Sequence, residues 1–538
     1  MTSYRHAHPA EAKRSSATEV VGTARDMGND IKSGHQQHLL ARMTREGDAT
    51  GNKITYIALA GGRLRHAYSL REVLLASGSG FQIDEVALSH LLHDGFVPFP
   101  RTIFQGVHAL GIGDGATVTG HGADAELELT VDFPYLQRRS AADQTPDPKR
   151  LLGLLCASLE RALAPYPNAV LMLSSGLDSV PLALAAAEIG RAADIMALTF
   201  DQHGSGEREA ATFARRFGLR HVALPFPRDS REVADLAQEF FTSADQPCCD
   251  PATLAYAATL RQAGVRGMPI LDGSGSDVYL GEIPTRRNQM LDPLHRLPDP
   301  WIGPLRAALP FWSPLNKVAS SRCEKTFVDE YHLRYQETRS FFAGSVDTSV
   351  LWRRQDRELA NLDFADLTKC IAMRHVDGNC GMLKARLAAA TRGGTAVFPW
   401  CDPDVISYCF NLPDIWKRGN RSWGNKPLVR EMLRRYADYD AVTQRKKVIF
   451  SFHLPDFLRA NKSLVEHEVR SSALWARSVL ETLAMLWRTL DDNRSGTAVA
   501  LHTLFCVSAW LNHADILERL KAQRSASPTL SDPSPQAA

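Results

Sequence analysis

The sequence predicts an α/β protein built on a mostly parallel β-sheet with helices on both faces, and three observations carry that expectation. Strand-like and helix-like segments alternate between about residues 151 and 271. An apolar run at 169–173 leads into the small-residue loop Ser174-Ser175-Gly176-Leu177-Asp178-Ser179, after which a helical pattern opens with Pro181 in its first turn. A second apolar run, 269–271, leads into a similar loop, Asp272-Gly273-Ser274-Gly275-Ser276-Asp277. Strands alternating with helices of this length imply parallel crossovers. In such sheets ligands bind beyond the carboxyl ends of the strands, where both loops fall.

Taken in order, residues 1–52 mix His, Arg, Lys, Ser, Gly and Asn without periodicity and are expected to form a flexible tail. A strand is expected at 54–59 with Gly61-Gly62 as its turn, a short helix at 87–93, and alternating strands at 116–119 and 127–131, so that 53–140 forms a small α+β domain. The polar, proline-containing stretch 141–150 reads as a linker. Beyond it come a helix at 151–163, the strand 169–173, a strand at 194–200, and a helix at 207–217 closed by Gly218. A strand at 219–224, helices at 231–241 and 251–263, and the strand 269–271 complete the alternation. Residues 281–310 read as irregular, 320–440 as mostly helical, and 498–520 as an apolar helix interrupted at Asn512-His513. The Ser- and Pro-rich end, 521–538, is expected to be disordered.

The first loop has the makings of a phosphate cradle. Backbone N–H groups and the positive end of a helix dipole converge on one anion there, and Ser174, Ser175 and Ser179 add hydroxyl donors. Asp178 is the odd member, because its carboxylate repels phosphate unless a divalent cation stands between them. The same residues would also serve as an ordinary turn with capping serines, and Asp277 as the cap of a helix beginning at residue 278. No Walker motif is present: in the nearest approach, 419–426, Asn425 stands between Gly424 and Lys426 and breaks the Gly-Lys step.

Composition excludes several classes. Sixty-two Lys and Arg against sixty Asp and Glu leave +2, so no basic field marks a nucleic-acid partner. No uncharged apolar run is long enough for a membrane span, and the polar N-terminus lacks a signal-peptide core. Nine cysteines without CxxC spacing give neither a zinc signature nor a disulfide framework. A cytoplasmic protein is the expectation.

The order of motifs adds a resemblance. After Ser-Ser-Gly-Leu-Asp-Ser come Leu198-Thr199-Phe200-Asp201, Asp245-Gln246-Pro247, Asp250-Pro251 and Asp-Gly-Ser-Gly-Ser-Asp. Then follow Phe398-Pro399-Trp400-Cys401-Asp402, Leu412-Pro413, Lys426-Pro427-Leu428-Val429-Arg430 and Arg445-Lys446-Lys447-Val448-Ile449-Phe450. This series resembles the synthetase domain of the asparagine synthetase family, with its SGGLDS, SGxGxDE, PFLD, Lys-Leu-Leu-Arg-type and RxKxxF segments. The resemblance covers roughly 150–520 and implies a PP-loop ATP-pyrophosphatase domain, 148–520, with a helical extension. Residues 95–106 resemble the end of that family's glutaminase domain, which makes 53–140 a degenerate glutaminase-like domain.

Two departures narrow the reading. Thr2 follows Met1 where glutamine-using members carry a nucleophilic Cys, so no glutamine hydrolysis is expected. Ser274 stands where asparagine synthetases carry Glu and β-lactam synthetases Tyr. The run from Asp272 onward instead resembles the lasso peptide macrolactam synthetases, which adenylate an Asp or Glu side chain of a precursor peptide for attack by its N-terminal amine. The resemblance implies ATP and Mg²⁺ as cofactors, AMP and pyrophosphate as products, and a precursor peptide, a maturation peptidase and a leader-binding protein as partners. The runner-up is a β-lactam synthetase-like or ammonia-dependent asparagine synthetase-like ligase. By the same resemblance Asp178 and Asp277 hold the metal, and Ser174, Ser175, Gly176, Ser179 and Gly275 line the ATP and pyrophosphate site. Backbone atoms at Leu173 and Leu198 hold the adenine, Lys447 stabilises the oxyanion, and Ser274 lies at the reacting centre.

Overall fold

The protein is described by a computed structural model over residues 3–5, 43–46, 53–77, 81–120, 122–131, 133–135, 145–201, 205–280, 290, 292–293, 323, 348–418, 425–438, 453–472, 477–490 and 497–526. The N-terminal part contributes the strands β1 (Ser3–Arg5), β2 (Met43–Glu46), β3 (Thr55–Ala60), β4 (Arg63–Ala67), β5 (Val107–Leu110), β6 (Asp114–Thr119) and β7 (Glu126–Val131). They form two sheets, ordered β1-β7-β6-β2 and β4-β3-β5. Ile57 and Leu110 of one sheet pack with Ala116, Val118, Leu127 and Leu129 of the other. Gly61 and Gly62 turn the β3–β4 hairpin with φ of 57° and 70°, a region that glycine enters without steric cost. The helix Glu85–Asp94 begins at Asp84, whose carboxylate accepts the Val86 and Ala87 amides, and ends at Gly95 with φ 82°.

Both edge strands of the four-stranded sheet come from the span read as a flexible tail. β1 pairs with β7 and β2 with β6. Ladder bonds use only backbone N–H and C=O groups, so a polar stretch without apolar periodicity can still be recruited to a sheet edge.

The second part is the parallel sheet that the alternation predicts. Its strands are β8 (Ala169–Met172), β9 (Ile195–Asp201), β10 (Arg220–Pro225), β11 (Pro269–Leu271) and β12 (Thr395–Val397). They lie in the order β10-β9-β8-β11-β12, all parallel. From β8 the chain steps outward through β9 to β10, then returns to the other side of β8 for β11 and β12. The direction of winding therefore reverses between β8 and β11, and a crevice opens at that point beyond the carboxyl ends. β12 falls inside a stretch expected to be mostly helical. Three residues are too few to show a period, and only pairing with β11 makes them a strand.

The helix Pro148–Leu163 starts inside the predicted linker. Asp147 accepts the Lys149 amide at 2.8 Å, and Pro148 takes the first turn, where its missing N–H costs nothing. Leu151, Leu155 and Leu159 recur at helical spacing and are fully buried. At the other end, Thr497–His513 stops and Asp515–Ala526 resumes, so the break falls at Ala514, just after the expected Asn512-His513, and the second helix runs six residues into the stretch expected to be disordered. Those two side chains reach across to the Glu468 carboxylate, each at 2.8 Å. The parts are also tied by Arg374, which donates to Asp114 of β6 at 2.5 Å with both side chains buried. Among the described residues no helix is long and apolar enough to cross a membrane.

Candidate active site

The loop 174–179 joins β8 to the helix Val180–Glu188 at the switch point. Ser179 is buried and makes no side-chain cap to that helix; its hydroxyl turns back into the loop. It accepts the Ser174 amide at 2.9 Å, donates to the Ser174 carbonyl at 3.0 Å, and lies 3.0 Å from the Ser174 hydroxyl. The Gly176 amide donates to Ser174 Oγ at 3.1 Å. Ser175, Gly176 and Asp178 are partly exposed at the mouth.

The loop after β11 abuts the first one. A β-carbon on Gly273 would stand 2.9 Å from the Asp178 carbonyl carbon, so the close approach requires glycine. Gly275, with φ 103°, leaves no room either, since a β-carbon there would meet Cys401 Sγ at 2.5 Å. Asp272 is buried beneath the loop. It accepts the Ser274 amide at 2.8 Å, the Ser274 hydroxyl at 2.5 Å and the Tyr256 hydroxyl at 3.0 Å. Burial first, then the Asp272 charge, pushes the Tyr256 hydroxyl well above its ordinary pKa, so it stays protonated and keeps donating. Asp277 lies within the first turn of the helix Ser276–Leu280, not ahead of it.

Asp178 and Asp277 converge on Lys426. The lysine Nζ pairs with Asp178 Oδ1, lies 2.7 Å from Asp277 Oδ1 and donates to Ser276 Oγ at 2.8 Å. Ser276 Oγ donates in turn to Asp178 Oδ1. Lys426 is 1% exposed and has a left-handed backbone, φ 53°, just before the helix Pro427–Ala437. Burial opposes its charge, but Asp178 and Asp277 outweigh burial and hold its pKa above the usual lysine value. A further brace comes from Trp400, whose indole donates to the Asp178 carbonyl at 2.8 Å, while Tyr279 donates to the Trp400 carbonyl.

The remaining sequence-derived candidates are placed less centrally. The Leu173 amide donates to the Leu198 carbonyl at 2.8 Å, and the Leu173 carbonyl accepts Thr199 Oγ1 at 2.8 Å. The backbone groups expected to hold adenine are thus partly engaged with one another and with the neighbouring strand. Lys447 lies outside the described residues. Sequence reasoning quoted Lys426 within its motif but gave it no role; Ser276, Asp272, Tyr256 and the Trp400 indole were equally unassigned. The local signal for Lys426 was a lysine followed by proline at a helix start, which does not say what the ammonium meets.

Among the described residues no group of three or more His, Cys, Asp and Glu could hold a metal. The two carboxylates nevertheless suit Mg²⁺, which is commonly bound by one or two carboxylates with phosphate oxygens and water completing its shell. A small apolar cavity of about 20 Å³ lies behind the second loop, lined by Ile54, Phe99 and Ile112 of the N-terminal part and by Gly275, Tyr279 and Met382.

The asparagine synthase family matches residues 150–512, about two thirds of the chain. Two relatives, from Mycobacterium bovis and from Mycobacterium tuberculosis strain H37Rv, carry the provisional name asparagine synthetase (glutamine-hydrolyzing). Each is 25% identical over 514 residues, covering 90% of this chain and 76% of the relative.

Proposed function

The chain belongs to the asparagine synthase family, whose members are ATP-dependent amide ligases, and from that premise we propose that it forms an isopeptide bond within a peptide. An Asp or Glu side chain of a precursor peptide is adenylated, AMP and pyrophosphate are the products, and the peptide's own N-terminal amine closes a macrolactam ring of the lasso peptide type. The observation that carries the nucleotide half is the convergence of Asp178 and Asp277, from two loops flanking the switch point, on one buried lysine. The peptide half is supported by the Asp-Gly-Ser-Gly-Ser-Asp run, which lacks the Glu of asparagine synthetases at position 274. The second reading is an ammonia-dependent asparagine synthetase-like or β-lactam synthetase-like ligase; the relatives' name shares its asparagine synthetase part, though that name is of glutamine-hydrolysing proteins.

A carboxylate does not acylate an amine at neutral pH until its oxygen becomes a leaving group. Bound with ATP, Mg²⁺ would neutralise the triphosphate and the departing pyrophosphate, held by Asp178 and Asp277. Ser174, Ser175, Gly176 and Ser179 form the loop that orients the pyrophosphate, Gly176 and Ser179 by bonding Ser174 and holding the loop's shape, and Gly275 lets the second loop approach the nucleotide closely. Lys447 supplies positive charge to the oxyanion that develops when the amine attacks, a role worth about 3–4 kcal/mol in other enzymes. Ser274, locked onto Asp272, presents a polarised hydroxyl at the reacting centre. Residues 53–135 hold no cysteine, which supports a ligase that does not hydrolyse glutamine.

The test is incubation with Mg²⁺·ATP and a synthetic peptide carrying a free N-terminal amine and an internal Asp or Glu, with aspartate plus ammonia as the parallel arm. The expected result is AMP, pyrophosphate and a peptide lighter by one water, with no glutamate released from glutamine. ADP as the sole nucleotide product would overturn the ligase chemistry. Asparagine without any cyclised peptide would select the second reading.

A further inference from the structure

We propose that Lys426 is an intramolecular stand-in for the metal: its ammonium fills the cation position between Asp178 and Asp277, so that a divalent ion enters only together with a nucleotide. The inference rests on the reading of Asp178 and Asp277 as metal-holding residues and adds a binding order to it.

The atoms make the competition direct. Asp178 Oδ1 already takes both Lys426 Nζ and Ser276 Oγ, and Asp277 Oδ1 takes Lys426 Nζ at 2.7 Å. Mg²⁺ needs carboxylate oxygens at about 2.0–2.1 Å with near-octahedral geometry, which those same oxygens cannot offer while the ammonium is seated between them. Nor can the lysine drift away into water. It is 1% exposed, its amide donates to the Lys417 carbonyl at 3.2 Å, and the following residue, Pro427, begins a helix.

Charge sets the order. Two carboxylates and one ammonium leave a single negative charge, a tolerable state for a crevice that is partly open at Asp178 and Asp277. A divalent ion arriving alone would make the cluster positive and press the buried ammonium against a like charge. A triphosphate reverses this, because its oxygens give the displaced ammonium a new partner and supply the metal's remaining ligands. Metal and nucleotide binding are then coupled, and the coupling is reciprocal.

The experiment counts free Mn²⁺ by electron paramagnetic resonance during titration of the full chain, alone and with α,β-methylene-ATP, whose scissile link does not cleave. Wild type is expected to bind Mn²⁺ weakly alone and at least about tenfold more tightly with the analogue, a coupling of the size common between linked sites. Lys426→Met should bind Mn²⁺ at least about tenfold more tightly than wild type without nucleotide and lose most of that coupling, whereas Lys426→Arg should behave as wild type. Asp277→Asn should lose the nucleotide-dependent Mn²⁺ site. Wild-type Mn²⁺ affinity in a folded Lys426→Met, equal wild-type affinity with and without the analogue, or an unchanged Mn²⁺ site in Asp277→Asn would each overturn the proposal. Should Lys426→Met fail to fold, the wild-type and Asp277→Asn titrations still decide. Because the readout is metal binding, a protein that couples Mn²⁺ to nucleotide yet cyclises no peptide would sink the proposed function and leave this inference standing.

Discussion

Loop 174–179 is braced at both ends by its own Ser174 and Ser179 hydroxyls, with Trp400 and Lys426 added at Asp178, whereas loop 272–277 leans on Tyr256, Cys401 and Lys426 beyond its own Asp272–Ser274 bonds. In the first, Ser179 and Ser174 bond to each other and to the loop's own backbone. In the second, Asp272 is held by Tyr256, Gly275 is pressed against Cys401, and Asp277 is drawn to Lys426. Both stretches are built mainly from Ser, Gly and Asp. A self-braced loop keeps its shape through residues adjacent in sequence, while an externally braced one takes its shape from packing. Mutations in the first should therefore act on the ligand and spare the fold. Mutations around the second should act on both.

The largest effect is expected at the shared carboxylate. Asp178→Ala removes a metal-holding group and leaves Lys426 with one partner fewer, so pyrophosphate release should fall by at least about 10³-fold, a size seen when single charged groups of a catalytic unit are removed. Retention of more than a tenth of the activity would show that the two loops do not share one metal.

Gly275→Ala comes next and reads out on the fold. The substitution combines a left-handed backbone with a contact at 2.5 Å, so unfolding should become easier by about 3 kcal/mol. Chemical denaturation measures this, and an unchanged midpoint would mean that Cys401 yields freely. Tyr256→Phe should cost less, about 1–3 kcal/mol, because it removes one donor from the buried Asp272 carboxylate. Its melting temperature is expected to drop even without nucleotide, and a drop seen only with nucleotide would move Tyr256 from the brace to the ligand. Gly176→Ala should do least to stability. Its β-carbon would meet only the rotatable Ser174 hydroxyl, at 3.0 Å, so the change should stay within about 0.5 kcal/mol. A loss like that of Gly275→Ala would erase the contrast between the loops.

Adjacent residues determined much of this protein on their own. The apolar run before Ser174, the small residues after it and Pro181 in the next turn specify strand, loop and helix start by local sterics and propensity, and the structure has them in that order. The alternation over 151–271 likewise carried the parallel sheet, since parallel strands need helical crossovers. The tertiary structure decided the rest. β1, β2 and β12 are strands only because a neighbouring edge offers them a ladder. The pairing of Lys426 with Asp178 joins residues 248 positions apart and depends on β11 lying beside β8. No window of sequence contains both partners, and a lysine is recognisable as buried and paired only once the carboxylates that offset its desolvation have been brought to it.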